Sequence, residues 1–222
     1  MNVNQNRWTR SSGWTPTVAG DGADTAQLVL VFGETSSLRN PEVVASIRKA
    51  HPTAYLMGCS TAGEICGTTV ANDSVVVTAV TFEHIQLRKV RVQLDETSAS
   101  MQAGARLAQA LPVSVPSAGA DSEDKLVHVF VLSDGLHVNG SNLVRGLVQH
   151  LPPDVTVTGG LAGDGERFAE TLVFTDGVAQ PNAVVALGLY GRRLTVGFGF
   201  AGRLGLVRPG AAHHPVTRQR IV

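Results

Sequence analysis

Cysteine, aromatic side chains, excess charge of either sign and long apolar runs are all scarce in this chain of 222 residues. Its two cysteines, Cys59 and Cys66, lie seven residues apart with no Cys or His partner in zinc-ligand spacing, which argues against a disulfide scaffold and a structural zinc site. Lys+Arg and Asp+Glu number 18 each, so the formal net charge is zero and neither nucleic acid nor an anionic membrane surface is indicated as a partner. No apolar run approaches the roughly 18 residues needed to span a bilayer. The polar start MNVNQNRWTR also has no apolar signal core, so a cytoplasmic protein is expected. Aromatics make up 5% of a chain that is 43% hydrophobic and holds 24 glycines; an aliphatic core with glycine-rich loops follows.

What is present reads as alternating strands and helices. Residues 1–25 are polar and read as a flexible lead-in, with at least one of Trp8 and Trp14 packing weakly on the body. "LVLVF" (Leu28–Phe32) is a strand buried on both faces. "PEVVASIRKA" (Pro41–Ala50) is a helix: Pro and Glu stand in its first turn, Arg and Lys in its last, and Val43, Val44 and Ile47 share a face. Ala54–Met57 is the next strand. Ser74–Phe82 and Ile85–Leu94 follow, joined by a tight hairpin at Glu83-His84, the second alternating apolar with charged residues. Thr97–Leu111 is a helix and Pro112–Asp124 a linker. The pattern then restarts, with a strand at Leu126–Leu132, a helix at Asn142–Leu151 and a strand at Val155–Val157. Three further strands are expected at Phe168–Phe174, Asn182–Tyr190 and Leu194–Phe200.

A shift of about 100 residues superposes the halves. Val31 falls on Val131, Pro52 on Pro152 and Ala62-Gly63-Glu64 on Ala162-Gly163-Asp164. Apolar matches arise easily, whereas a matched Pro and a matched Ala-Gly-acid turn together point to an internal duplication. The expected fold class is therefore α/β: mixed β-sheets with covering helices, in two related halves, 26–111 and 125–202, joined by a linker at 112–124.

Ligands of open α/β sheets bind beyond the carboxyl ends of the strands. Four loops leave strands there: Gly33–Ser37, Gly58–Glu64, Ser133–Gly135 and Gly159–Asp164. Glycines let a ligand approach backbone N–H groups, hydroxyls come from Ser60 and Thr61, and Glu64, Asp134 and Asp164 are acceptors suited to an ammonium. The candidate ligand-binding residues are Cys59, Ser60, Thr61, Ala62, Gly63, Glu64, Asp134, Gly135, His137, Asn139, Gly160, Gly163 and Asp164. The same glycines would also serve as mere turn formers. A hydrolase or transferase with a Cys59 or Ser60 nucleophile is the least favoured reading, because the loop is Gly-Cys-Ser-Thr-Ala-Gly rather than Gly-x-Ser-x-Gly and only His137 sits in a loop where a base could serve. No phosphate-loop signature and no close-spaced metal ligands are present. No cofactor is expected, with haem on an axial His137 as the alternative.

At "MGCSTAGEI", followed by "DSVVVTAVTF", the chain resembles the N-terminal sensory domain of the FIST family, a family of signal-transduction proteins. "LVLVFGE", "LSDGLHVNGSNLVRGL" and "VTGGLAGDGERFAET" extend the resemblance over Gln27–Gly202, and the closing "HHPVTRQRIV" resembles the junction into the family's C-terminal domain. The resemblance implies a sensor for a small polar ligand, with amino acids or their derivatives the proposed class. It also implies a signal passed to a C-terminal FIST-type domain or a kinase or cyclase partner, and in some relatives haem-dependent nitric-oxide sensing. On this reading residues 26–202 are a sensory domain without catalytic residues, and 203–222 are a tail or a junction to a second domain.

Overall fold

The computed structural model describes residues 1–16, 25–94, 100–117 and 122–197. In chain order its elements are β1 (Asn2–Thr9), β2 (Gly13–Thr15), β3 (Leu28–Gly33), α1 (Thr35–Leu38), α2 (Pro41–Ala50), β4 (Tyr55–Ser60), β5 (Glu64–Cys66), β6 (Thr69–Ala71), β7 (Ser74–Thr81), β8 (Gln86–Gln93), α3 (Ser100–Ala110), β9 (Ser114–Pro116), β10 (Glu123–Ser133), α4 (Gly140–Val148), β11 (Thr156–Leu161), β12 (Val173–Thr175), β13 (Val178–Gln180) and β14 (Ala183–Tyr190). Helix α2 begins where its sequence dictates: the Asn40 side chain accepts the Glu42 amide at 2.9 Å, Pro41 has no N–H to satisfy, and Arg48 and Lys49 face the negative end of the dipole.

One sheet of seven strands runs β13-β12-β4-β3-β7-β1-β2 and a second runs β11-β10-β14-β8, with β9 attached to β10; β5 and β6 form a separate hairpin. Three cores give the layer order. Met57, Cys59, Leu87, Leu132, Val185 and Leu187 fill the space between the sheets. Val29, Val31, Val75 and Val77 on the outer face of the first sheet meet Leu38, Val43 and Ile47 of α1 and α2. Val129, Val131, Val184 and Ala186 on the outer face of the second meet Leu107 of α3 and Leu143 and Leu147 of α4. The molecule is thus helix, sheet, sheet, helix, which is why its central strands read as unbroken apolar runs: both faces are buried. Helices α3 and α4 touch backbone to backbone, since a Cβ on Gly104 would lie 2.2 Å from the Leu143 carbonyl and one on Gly146 2.0 Å from the Met101 carbonyl. Among the described residues no helix is long and apolar enough to cross a membrane.

The two sheets share a four-strand order. β4-β3-β7-β1 in the first matches β11-β10-β14-β8 in the second, each with one parallel pair joined by a helix and two antiparallel neighbours. Val31 stands opposite Gly58 and Val77; Val131 stands opposite Gly159 and Ala186.

Several expectations change. The loose lead-in is in fact structured as far as Thr15: β1 pairs along the whole of β7, Trp8 and Trp14 pack on the core beneath α2, and the Trp14 indole donates to Ser46 Oγ at 2.9 Å. Residues 17–24 lie outside the described residues. The hairpin at Glu83-His84 does not form, because the free side of β7 is taken by β1; β8 crosses to the other sheet and pairs with β14. The linker at 112–124 supplies β9 and the start of β10, paired Ser114–Pro116 against Glu123–Lys125, with 118–121 outside the described residues. The strand expected over Phe168–Phe174 shrinks to Val173–Thr175, and the helix expected from Thr97 is described from Ser100. Leu194–Gly197 carries no strand, and the rest of that expected strand and the tail 203–222 lie outside the described residues.

Candidate functional site

Loops from both sheets meet at one end of the molecule. Gly163 N–H donates to the Ser60 carbonyl at 2.8 Å, Ala162 N–H to the Ser133 carbonyl at 2.8 Å, and Thr61 N–H to the Gly33 carbonyl at 3.1 Å. Ser60, fully buried, accepts the Leu172 amide on its hydroxyl at 2.9 Å and donates its own amide to the Leu172 carbonyl at 2.8 Å. These bonds join the ends of β3, β4, β10 and β11. Beside the seam lies an open cavity of about 360 Å³, lined by Glu34, Thr61–Glu64, Asn72, Asp73 and Asp164–Arg167.

The carboxylates around it are held firmly. Glu64, 2% exposed, accepts from Thr61 Oγ1 at 2.7 Å, from Ser74 Oγ at 2.7 Å and from the Ser74 amide at 3.3 Å. Asp164 accepts the Ala169 and Glu170 amides on one oxygen, both at 3.0 Å, and Arg167 on the other, Nε at 2.9 Å. Burial alone would raise the Asp164 carboxyl, but those amides and the guanidinium outweigh it and hold the group below its ordinary range. Glu34 caps α1 by accepting the Ser37 amide at 3.1 Å and receives Arg167 Nη1 at 3.0 Å. Burial pulls its carboxyl upward too, yet hydrogen bonds from Ser36, then Arg167 and the Ser37 amide, prevail and lower it from 4.5 to about 2. Arg167 thus bridges Glu34 and Asp164 and also donates to Thr35 Oγ1 at 2.6 Å.

Of the residues singled out from the sequence, Thr61, Ala62, Gly63, Glu64 and Asp164 line the cavity. Gly163 lies beside it: a Cβ there would come within 3.1 Å of the Ala62 amide nitrogen. Cys59 and Ser60 are buried beneath the loop, and burial pushes the Cys59 thiol up to about 12. Gly160 lies on β11, away from the lining. Asp134, Gly135, His137 and Asn139 form a neighbouring knot rather than a wall. Asp134, fully buried, accepts the Leu136 and His137 amides on one oxygen and the Asn182 amide on the other, at 2.8, 2.8 and 3.0 Å. Gly135 presses on the next loop, where a Cβ would lie 2.0 Å from the Ala162 carbonyl. Asn139 caps α4 by accepting the Asn142 amide at 3.0 Å. The His137 side chain is 58% exposed and its Nδ1 sits 3.1 Å from Asp134.

Sequence reasoning missed Glu34, Asn72, Asp73, Gly165, Glu166 and Arg167. Glu34 sits in a loop the sequence marked, but nothing there distinguished its acid from a simple cap. Asn72-Asp73 carries only a turn signal, and its entry into the cavity depends on the β5–β6 hairpin folding back.

The lining contains five carboxylates, on Glu34, Glu64, Asp73, Asp164 and Glu166, against the single guanidinium of Arg167, which two of them already hold. Such a cavity attracts an ammonium and repels free anions. Among the described residues no cluster of three His, Cys, Asp or Glu could hold a metal ion. Fold and site together define a mixed α/β domain with a polar, acidic cavity at the seam of two facing sheets. The chain belongs to the FIST family: the family model for the FIST N domain matches residues 27–219, nearly the whole chain. FIST domains are associated with signalling. No curated protein matches the chain.

Proposed function

We propose that this chain is a sensory domain that binds a small polar ligand bearing an ammonium group, an amino acid or a derivative, in the acidic cavity and performs no chemistry on it. The carrying observation is the cavity itself, into which loops of both sheets bring five carboxylates and one arginine. Three features support binding over catalysis: Cys59 is buried with its thiol proton held tightly, Ser60 spends its hydroxyl on the Leu172 amide, and His137 stands outside the lining. The exposed position of His137, knotted to Asp134, gives the haem reading no geometric support. A ligand touching Thr61–Glu64 and Asp164–Arg167 would tie the first sheet's loops to the second's and shift the population toward one arrangement of the halves. The output would pass in the cytoplasm to a C-terminal FIST-type domain or to a kinase or cyclase. The matching strand orders of the two sheets are read here as the trace of a duplicated unit.

Calorimetry of the chain against the twenty amino acids and simple amines tests this. Heat is expected with at least one ammonium-bearing compound, with affinity weakened at least tenfold in Asp73→Asn/Glu166→Gln, a change at two exposed lining positions. Silence with every amine, or heat untouched by the double change, rejects the cavity as the receptor.

A further inference from the structure

Strands β4 and β11 hold the same place in their sheets, yet among the described residues only β4 is covered. The outer edge of β4 carries β12, antiparallel, with Val173 opposite Cys59 and Thr175 opposite Met57. The same hairpin, β12–β13, covers Val44 of α2, which packs with Ala179 on the core of that layer. Among the described residues nothing pairs with the outer edge of β11. Its sequence, Thr-Val-Thr-Gly-Gly-Leu, has no charge, and Leu161 is 53% exposed. Exposed edges are usually guarded by charge or proline, and the other edge of this sheet that is open among the described residues, β8, follows that rule with Arg88 and Arg91.

Helix α4 repeats the asymmetry. Val144, the counterpart of Val44 at the shift of 100, is 44% exposed, and Val148 one turn on is 56% exposed. Both lie two residues from Gly146, about 200° round the helix. Gly146 is the contact with α3, so the two valines sit on the side of α4 turned away from α3. That side borders the β11 edge, because α4 lies over β11 while α3 lies over β8 and β14. An uncharged open edge and an apolar helix flank therefore adjoin, where the first half of the molecule has the same two features covered.

We infer that this surface pairs with a second copy of the chain across a twofold axis, β11 against β11 antiparallel and the valine flanks of the two α4 helices in contact. The neutral edge meets its own copy without like-charge opposition, which two β8 edges could not do. A single patch supplies both halves of such an interface, and it closes as a dimer rather than growing into a fibre. The pairing continues the second sheet through the axis.

Sedimentation of the full chain across the micromolar range tests the inference, together with hydrogen exchange of the β11 amides that point away from β10. A dimer with slow β11 exchange is expected. Val144→Lys/Val148→Lys should convert it to a monomer with fast β11 exchange and an unchanged far-ultraviolet spectrum, while Gln102→Lys/Gln109→Lys on the exposed face of α3 leaves the dimer intact. A wild-type monomer overturns the inference: with slow β11 exchange the edge is covered by the chain's own remaining residues, and with fast exchange by nothing. A dimer that survives the valine change overturns it as well, placing the contact on another face. Ligand calorimetry is independent of every one of these outcomes.

Discussion

Asp134 and Asp164 show how one residue type does two jobs at the same end of the molecule. Each gathers backbone amides, but Asp134 closes the loop after β10 onto the start of β14, whereas Asp164 keeps an oxygen in the cavity wall beside Arg167. Asp134→Ala removes a fully buried carboxylate and leaves three part-buried amides without their acceptor, so a loss of about 2–4 kcal/mol in chemical denaturation is expected, with ligand affinity at saturating folded protein unchanged. Arg167→Ala should cost little at neutral pH, since its side chain is half exposed. Its signature lies in acid. Glu34 and Asp164 have folded-state values below their unfolded ones: Glu34's stabilisation is complete above about pH 4.5 and is lost as pH falls toward about 2, and Asp164's is lost in the same direction. In Arg167→Ala the fall in melting temperature over that window should be shallower; an identical slope would show that the ion pairs do not depress the carboxyls. Thiol titration separates the two cysteines: Cys66, half-buried, reacts in the native protein, and Cys59 reacts only on unfolding.

At the scale of elements the contact between α3 and α4 is the most exacting. Gly146→Ala places a methyl carbon 2.0 Å from the Met101 carbonyl, so the helices must separate. A loss of about 2–4 kcal/mol is expected in denaturant unfolding, against under about 1 kcal/mol for an alanine at exposed Gln109 of α3. Much at this scale was legible beforehand. Pro41 and Asn40 at the start of α2, the terminal Arg48-Lys49, and the unbroken apolar runs of β3, β7 and β14 each declare their structure locally. β1 did not. Its sequence, Asn-Val-Asn-Gln-Asn-Arg-Trp-Thr, is polar because both faces stay partly wet, and it becomes a strand only because β7 offers an edge to pair with. The hairpin expected at Glu83-His84 failed for the same reason: a two-residue junction permits a hairpin, but that edge of β7 was occupied.

Across the whole molecule, the cavity exists because two sheets face each other and their strand-end loops interlock. Ligand binding there is expected to raise thermal stability in proportion to the logarithm of free ligand, by about 2.7 kcal/mol at a concentration one hundred times the dissociation constant. The Asp73→Asn/Glu166→Gln protein should show little of that gain in a thermal-shift titration.

The amino-acid order alone determined the elements whose signals are local: caps, apolar periodicity, and the Ala-Gly-acid turns repeated about 100 residues apart. Only the tertiary structure decided which acids share a cavity and which are spent on backbone amides. Asp134 and Asp164 look alike in sequence, yet Asp134 reaches a distant amide, Asn182, whereas Asp164 is held by its own loop and is tied to a distant segment only through Arg167, which also meets Glu34. Hydrogen-bond accounting in a buried site depends on what the fold brings within 3 Å, and no local pattern encodes that distance.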